Sequence, residues 1–408
     1  MNKVAGISVA AVMLLSVAVC CGRAGADGHS GSDSSAMQPE DCAVLTETDM
    51  TGEALAWADS IMKQMTLEQR VGQLLLPAVY AADDPPSLRS LSRYAADWHV
   101  GGVVLLKGSP EAVRTIAERL TEASVPPPFM AIDAEWGLGM RLSGTPVFPK
   151  NGQISPRAGQ DVLYEYGREV ARECRLAGIN MVLGPVADVS ASSGIMGRRS
   201  FGSDPERVAE LTVAYARGLE DGNVVSVAKH FPGHGSPGQD SHNSLAVVAS
   251  DIERLDTVDM LPFKAYVNAG LSGIMAGHLA VPSVDASLSP ASFSRPILTG
   301  LLRDSLNFRG LVLTDALNMG GASGYTAADA LRAGADIVLA PADTGREFRA
   351  IMDEIESNRL PISLVNDRCR RILFYKYLVK RKVPELVPSS CELATPKSDS
   401  LIRSLSGS

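Results

Sequence analysis

Three of the chain's six histidines, His230, His234 and His242, fall in one run, AKHFPGHGSPGQDSH. Imidazoles this close together suggest three chemistries. The first is a metal site. His230 and His234 are spaced i, i+4, which would share a helix face, but Pro232, Gly233 and Gly235 break any helix there. A loop gathering three imidazoles around zinc stays open as an alternative; the reading adopted needs no metal and no other cofactor. The second is a nucleotide loop. Gly233 to Gly238 satisfies G-x-G-x-x-G after an apolar run, yet Pro237 and a polar stretch follow where a helix must open to receive pyrophosphate. The third is acid–base work. Asp240 and His242 are two apart, and a carboxylate beside an imidazole can orient it, set its tautomer and raise its basicity. Glycines and prolines would let such a loop swing over a substrate. The plain alternative is that Asp240 caps the next segment and His242 is solvated.

Whatever positions these residues must come from the alternation of short apolar runs with longer helix-like ones. Eight runs read as strands: 71–79, 100–108, 128–135, 179–189, 224–231, 271–281, 308–316 and 335–343. They are almost continuously apolar, as strands covered on both faces should be. Amphipathic segments lie between them, at 110–123, 160–176, 205–221, 257–269 and 346–358, and Ser109-Pro110 and Ser203-Asp204-Pro205 read as helix starts. Eight β–α units in series predict an α/β fold, a single-domain (β/α)8 TIM-type barrel, with a leading helix at 54–66 and a trailing one at 362–380.

Active sites of that fold sit at the C-terminal ends of the strands. Here the apolar runs end in Asp133 and Glu135, Asp188, Lys229 and His230, His278, and Asp315. A charged group at the end of an apolar strand is costly unless it is paired or functional, so these groups mark one mouth.

The flanks and bulk properties bound the rest. A net charge of −8 argues against nucleic acid, which requires a basic face. Lys3 followed by the apolar stretch Val4–Val19 reads as an export signal, with exits at Ala24-Gly25-Ala26 or, as a bacterial lipoprotein signal, through lipid on Cys20 or Cys21; a transmembrane anchor is the alternative. The expected order is a signal peptide over 1–26, a polar tether over 27–53, the barrel over 54–382 and a poorly ordered Pro/Ser-rich tail over 383–408. The expected setting is export to a bacterial periplasm or anchoring at an outer membrane, as a monomer. Cys174 and Cys369 are expected to be ordinary buried thiols, while Cys42 and Cys391, one in each tail, could pair in an oxidising compartment.

The sequence resembles the β-N-acetylglucosaminidase branch of glycoside hydrolase family 3. KHFPGHG followed by DSH carries the resemblance; GPVADV, GRRSFGSDP, LVLTDALNM and AIDAEWGLGMR keep the family's motif order from about residue 60 to 380. The resemblance implies a retaining exo-enzyme acting on terminal β-linked N-acetylglucosamine, in cell-wall fragments, chitin-type oligomers or host glycans. It implies Asp315 as nucleophile, His242 as general acid and then base with Asp240 as its partner, and Asp133, Arg141, Arg199, Lys229 and His230 on the sugar hydroxyls. His278 would lie near the site among the substrate-binding residues, Arg198 is the alternative to Arg199, and Ala134 and Trp136 stand where the family has Gln and Gly. Aromatics make up only 5%, so a sugar would be held mainly by hydrogen bonds, with Trp136 as a stacking face. An imidazole titrating near about 6.5 can give and take a proton near neutrality. A family 3 β-glucosidase, a phosphorylase of N-acetylglucosaminides and a non-catalytic sugar-binding lipoprotein are the competing readings.

Overall fold

The computed structural model describes residues 47–82, 85–124, 126–154, 156–190, 194–235, 245–380 and 393–407. Helices begin where a side chain can accept from amides that have no partner within the helix. Ser109 accepts from the Ala112 amide ahead of Pro110–Ala123, and Asp204 from the Glu206 and Arg207 amides ahead of Pro205–Asp221. Both helices open on proline, whose missing N–H would be unpaired there in any case.

The strands are β1 (Leu75–Leu76), β2 (Ala78–Ala81), β3 (Gly102–Gly108), β4 (Phe129–Ile132), β5 (Met181–Val182), β6 (Val225–Phe231), β7 (Ala246–Val247), β8 (Gly273–Ala276), β9 (Leu279–Ala280), β10 (Leu311–Thr314) and β11 (Val338–Leu339). Seven form a curled parallel sheet in the order β10-β8-β6-β5-β4-β3-β2, while β1 pairs in parallel with β11. Leu313 at the β10 edge also bridges Ile337, just before β11. Each of the eight expected windows contains at least one of these strands. The small parallel pair β7–β9 was not expected; β7 lies outside every window.

Side chains alternate across the sheet. Val103, Leu105, Met130, Ile132 and Val182 pack into one apolar cluster with the helices, whereas Val104, Phe129, Ala131 and Met181 join the other. That two-sided burial is why these runs read as unbroken apolar stretches. Outside the sheet, helices Gln160–Leu176 and Pro205–Asp221 cross so closely that a Cβ on Gly167 would stand 2.2 Å from the Tyr215 carbonyl oxygen.

Two expected boundaries are corrected. The tether expected over 27–53 overlaps the helix Glu47–Met62, which buries Ala54 and Ala58 and sets Trp57 against Tyr377 with ring centroids 5.7 Å apart. The poorly ordered tail expected over 383–408 contains the helix Pro396–Ser406. Its start is capped by Thr395, Leu401 and Leu405 are buried, and Lys397 pairs with Glu165 at 2.7 Å. Two leucines four apart supply one apolar face, and that outweighs the Pro/Ser-rich composition.

Cys174 and Cys369 are buried free thiols, as expected. The expected leader, Cys20, Cys21, Cys42 and Cys391 lie outside the described residues. No helix among the described residues is long and apolar enough to cross a membrane.

Candidate active site

The site starts where β4 runs out of apolar residues. Asp133 and Glu135 follow Ile132, and Lys229, two residues before the end of β6, reaches both: Nζ lies 2.7 Å from Asp133 Oδ1 and 2.9 Å from Glu135 Oε1. Arg141 caps the other Asp133 oxygen. Arg199, at the end of a short helix, grips Glu135 with two parallel bonds of 2.9 and 2.7 Å. Two carboxylates thus sit among three cations.

Burial and pairing pull the charges in opposite directions. Burial alone would raise the Asp133 carboxyl, but Lys229 and Arg141 outweigh it and hold it well below the usual carboxylate range. Glu135 is held at about 2 in the same way, by Lys229 and Arg199 against burial. The reciprocal effect keeps Lys229 charged: burial pulls its ammonium down, and Asp133 and Glu135 more than restore it. The cluster is therefore ionised at neutral pH and presents fixed donors and acceptors suited to sugar hydroxyls.

His230 is the neighbour of Lys229, and in a regular strand it would face the other way. The pairing of β6 with β8 shifts register between Lys229 and Phe231. Such an irregularity re-aims side chains, and both residues reach carboxylates. His230 Nδ1 lies 2.7 Å from Asp188 Oδ2, and the His234 amide donates to Asp188 Oδ1 at 2.9 Å. The His230 and His234 rings meet edge-on, with centroids 5.8 Å apart.

Asp315 follows the four buried residues of β10 and is half-buried. Its amide donates to the Ala276 carbonyl at 2.9 Å and its Oδ1 accepts from the Ala316 amide at 2.8 Å. Its charge is felt at both His234 and His278, raising each against the stronger downward push of burial. Asp315 thus faces the histidine side of the site.

His278 requires a correction. It was expected near the site as a substrate-binding residue; it lies beside Asp315, but it is fully buried and both ring nitrogens are engaged, Nδ1 with Ser292 Oγ at 2.6 Å and Nε2 with the Ala316 carbonyl at 3.0 Å. A carbonyl only accepts, so Nε2 carries the proton. Phe293 stacks on the ring, centroid to centroid 5.5 Å. His278 therefore braces the chain beside Asp315 and has no nitrogen to offer a ligand.

The structure brings together Asp133, Arg141, Arg199, Lys229 and His230. It adds Glu135 and Asp188, which the strand-end pattern had flagged without a role. Asp240 and His242 lie outside the described residues.

The family profile described as the glycosyl hydrolase family 3 N-terminal domain matches residues 66–374. A beta-hexosaminidase of Xylella fastidiosa (strain M23) is 33% identical over 270 residues, covering 61% of this chain and 80% of that protein. Among solved structures, a family 3 β-N-acetylglucosaminidase from Paenibacillus sp. str. FPU-7 superposes with a TM-score of 0.76 at 29% identity, over 84% of this chain and 68% of that one. A β-glucoside phosphorylase, BglX, superposes with a TM-score of 0.80 over 88% of this chain and 67% of that one. At 22% identity that likeness concerns the fold alone.

Proposed function

The chain belongs to glycosyl hydrolase family 3 and is a glycoside hydrolase, and from that premise we propose that it is a retaining exo-β-N-acetylglucosaminidase. The observation that carries the proposal is the paired cluster Asp133–Lys229–Glu135–Arg199, with Arg141 and His230, on the same strand ends as Asp315. A polar, ionised cluster of this kind suits a neutral sugar held by hydroxyls. The beta-hexosaminidase relative supports the choice of an N-acetylated sugar.

In the reaction, a carboxylate oxygen of Asp315 bonds to the anomeric carbon as the bond from that carbon to the aglycone oxygen breaks. The His242 imidazolium gives its proton to the leaving oxygen. Water then attacks the same carbon, neutral His242 takes the water proton, Asp240 steadies the resulting imidazolium, and Asp315 leaves. Asp133, Arg141, Arg199, Lys229 and His230 bind the hydroxyls throughout. The ion pairs around Asp133 and Glu135 set donors and acceptors in place for the ring before the step begins.

A closed, single-domain (β/α)8 barrel is the finer architecture, supported by the β1–β11 pairing and the Leu313–Ile337 bridge. The apolar leader supports export, with the lipid-anchored form depending on Cys20 or Cys21.

The deciding experiment pairs a fluorosugar label with product analysis. Wild type should release N-acetylglucosamine from aryl β-N-acetylglucosaminides in preference to glucose from glucosides, and without added phosphate. Asp315→Ala should lose both turnover and the covalent label. Normal labelling of that variant would remove Asp315 from the mechanism, and a preference for glucosides or a requirement for phosphate would move the enzyme to another activity of the family.

A further inference from the structure

We propose that Asp188 is a positioning residue with two tasks: it fixes the proton of His230 on Nδ1, and it pins the start of the stretch that leads on to Asp240 and His242. The inference deepens the reading of the site given above and rests on it.

The carboxyl of Asp188 is wholly buried, and each oxygen has its own work. Oδ2 faces the His230 ring at 2.7 Å and accepts from the His230 amide at 3.2 Å. Oδ1 accepts from the His234 amide at 2.9 Å. Burial alone would raise this carboxyl, but His230, His234 and Arg199 hold it at about 2, so it is ionised at working pH. An ionised carboxylate only accepts. His230 Nδ1 must therefore carry the hydrogen, and Nε2 is the ring nitrogen left to meet a ligand hydroxyl.

The delivery of Asp188 to this place is also built in. The Ala187 amide donates to the Lys229 carbonyl at 2.7 Å and the Lys229 amide to the Pro185 carbonyl at 3.0 Å, so the chain before Asp188 runs along β6. Beyond β6 the Gly233 amide donates to the His230 carbonyl at 2.9 Å, closing a tight turn at a Gly233 φ of 116°. A Cβ on Gly233 would stand 2.7 Å from the Asp259 carbonyl oxygen, so only glycine fits. His234 leaves that turn with its amide already held by Asp188. One side chain thus sets both the proton on a sugar-holding histidine and the starting point of the stretch carrying the proposed acid–base pair.

The test reads the proton directly. Nitrogen-15 NMR of the histidine rings in the wild type should show His230 protonated at Nδ1, and Asp188→Ala should shift the proton toward Nε2. On an aryl β-N-acetylglucosaminide, Asp188→Ala should lower kcat/KM on the order of 10–100-fold, the range typical for removing the partner that orients a metal-bound imidazole, carried over to this ring. In a cycle with His230→Ala, the double variant should lose much less than the product of the two single losses, because one change removes what the other steers. A merely structural role would lower thermal stability while leaving the two losses multiplicative, and that result overturns the proposal. A wild-type proton on Nε2 overturns it as well, whether or not Asp188→Ala folds. A wild type with the proton on Nδ1 but no turnover of any N-acetylglucosaminide would overturn the functional reading alone.

Discussion

Replacing Lys376 with methionine should stabilise the protein, and by an amount that depends on pH. Lys376 is 3% exposed, its Nζ donates to Gln73 Oε1 at 2.6 Å, and it sits 5.5 Å from the centre of the Phe129 ring. Gln73 is committed in turn, since its amide nitrogen donates to the His99 carbonyl at 2.9 Å. Among the described residues no carboxylate pairs with the ammonium, and burial pulls its pKa from 10.5 down to about 7. At about 1.4 kcal/mol per pKa unit, that gap corresponds to about 5 kcal/mol against the charged folded state. Methionine fills similar volume without the charge, but it leaves Gln73 Oε1 without a donor, which costs about 1–3 kcal/mol. The net gain at pH 6 should be about 2–4 kcal/mol. The sign follows from linkage. Between pH 7 and 10.5 the unfolded chain holds a proton that the folded protein has released, so wild-type stability rises with pH across that window. Below pH 7 both states hold the proton and the folded state carries the full cost. The advantage of the variant should therefore be largest near pH 6 and fade toward pH 10. Urea unfolding of both proteins at pH 6, 8 and 10 measures the difference, in which other titrating groups cancel. A variant less stable than wild type at pH 6, or a gap that does not shrink as pH rises, would refute the reasoning.

Glu173 should act with the opposite slope. It is fully buried, neither carboxyl oxygen has a hydrogen-bond partner among the described residues, and burial followed by the charge of Glu169 pushes its pKa up to about 9. Because that folded value lies above the unfolded 4.5, its favourable share is present below pH 4.5 and lost as pH rises toward 9. Glu173→Gln should gain on wild type by up to about 5 kcal/mol by pH 8, and unfolding curves at pH 5 and pH 8 with no change in the gap would count against it. Gly167→Ala should destabilise by about 1–3 kcal/mol by driving a methyl group into the backbone of the helix Pro205–Asp221, measured as a lowered thermal midpoint. An unchanged midpoint would mean that the two helices can part without cost.

What the sequence by itself determined is whatever depends on neighbours along the chain. A strand covered on both faces must be apolar throughout, so eight apolar runs are visible without knowing their partners, and their order carries the parallel sheet. The helix starts at Ser109-Pro110 and Asp204-Pro205 are equally local. So is the appearance of Asp133, Glu135, Asp188, Lys229, His230 and Asp315 just where those runs end. The family resemblance rests on the same contiguous motifs. The tertiary structure decided which of these charges meet. Lys229 finds Asp133 across 96 residues of chain, and His230 finds Asp188 across 42, because the sheet sets β6 beside β5 and only one strand from β4. It also turned His278 inward, where Ser292 and the Ala316 carbonyl take both nitrogens. Likewise it folded the C-terminal stretch into a helix whose Glu169 and Glu165 contacts lie more than two hundred residues back. Pattern along a chain reports which face of an element is apolar. The partner of a buried charge is chosen by distance through space, and that distance exists only once the sheet has curled.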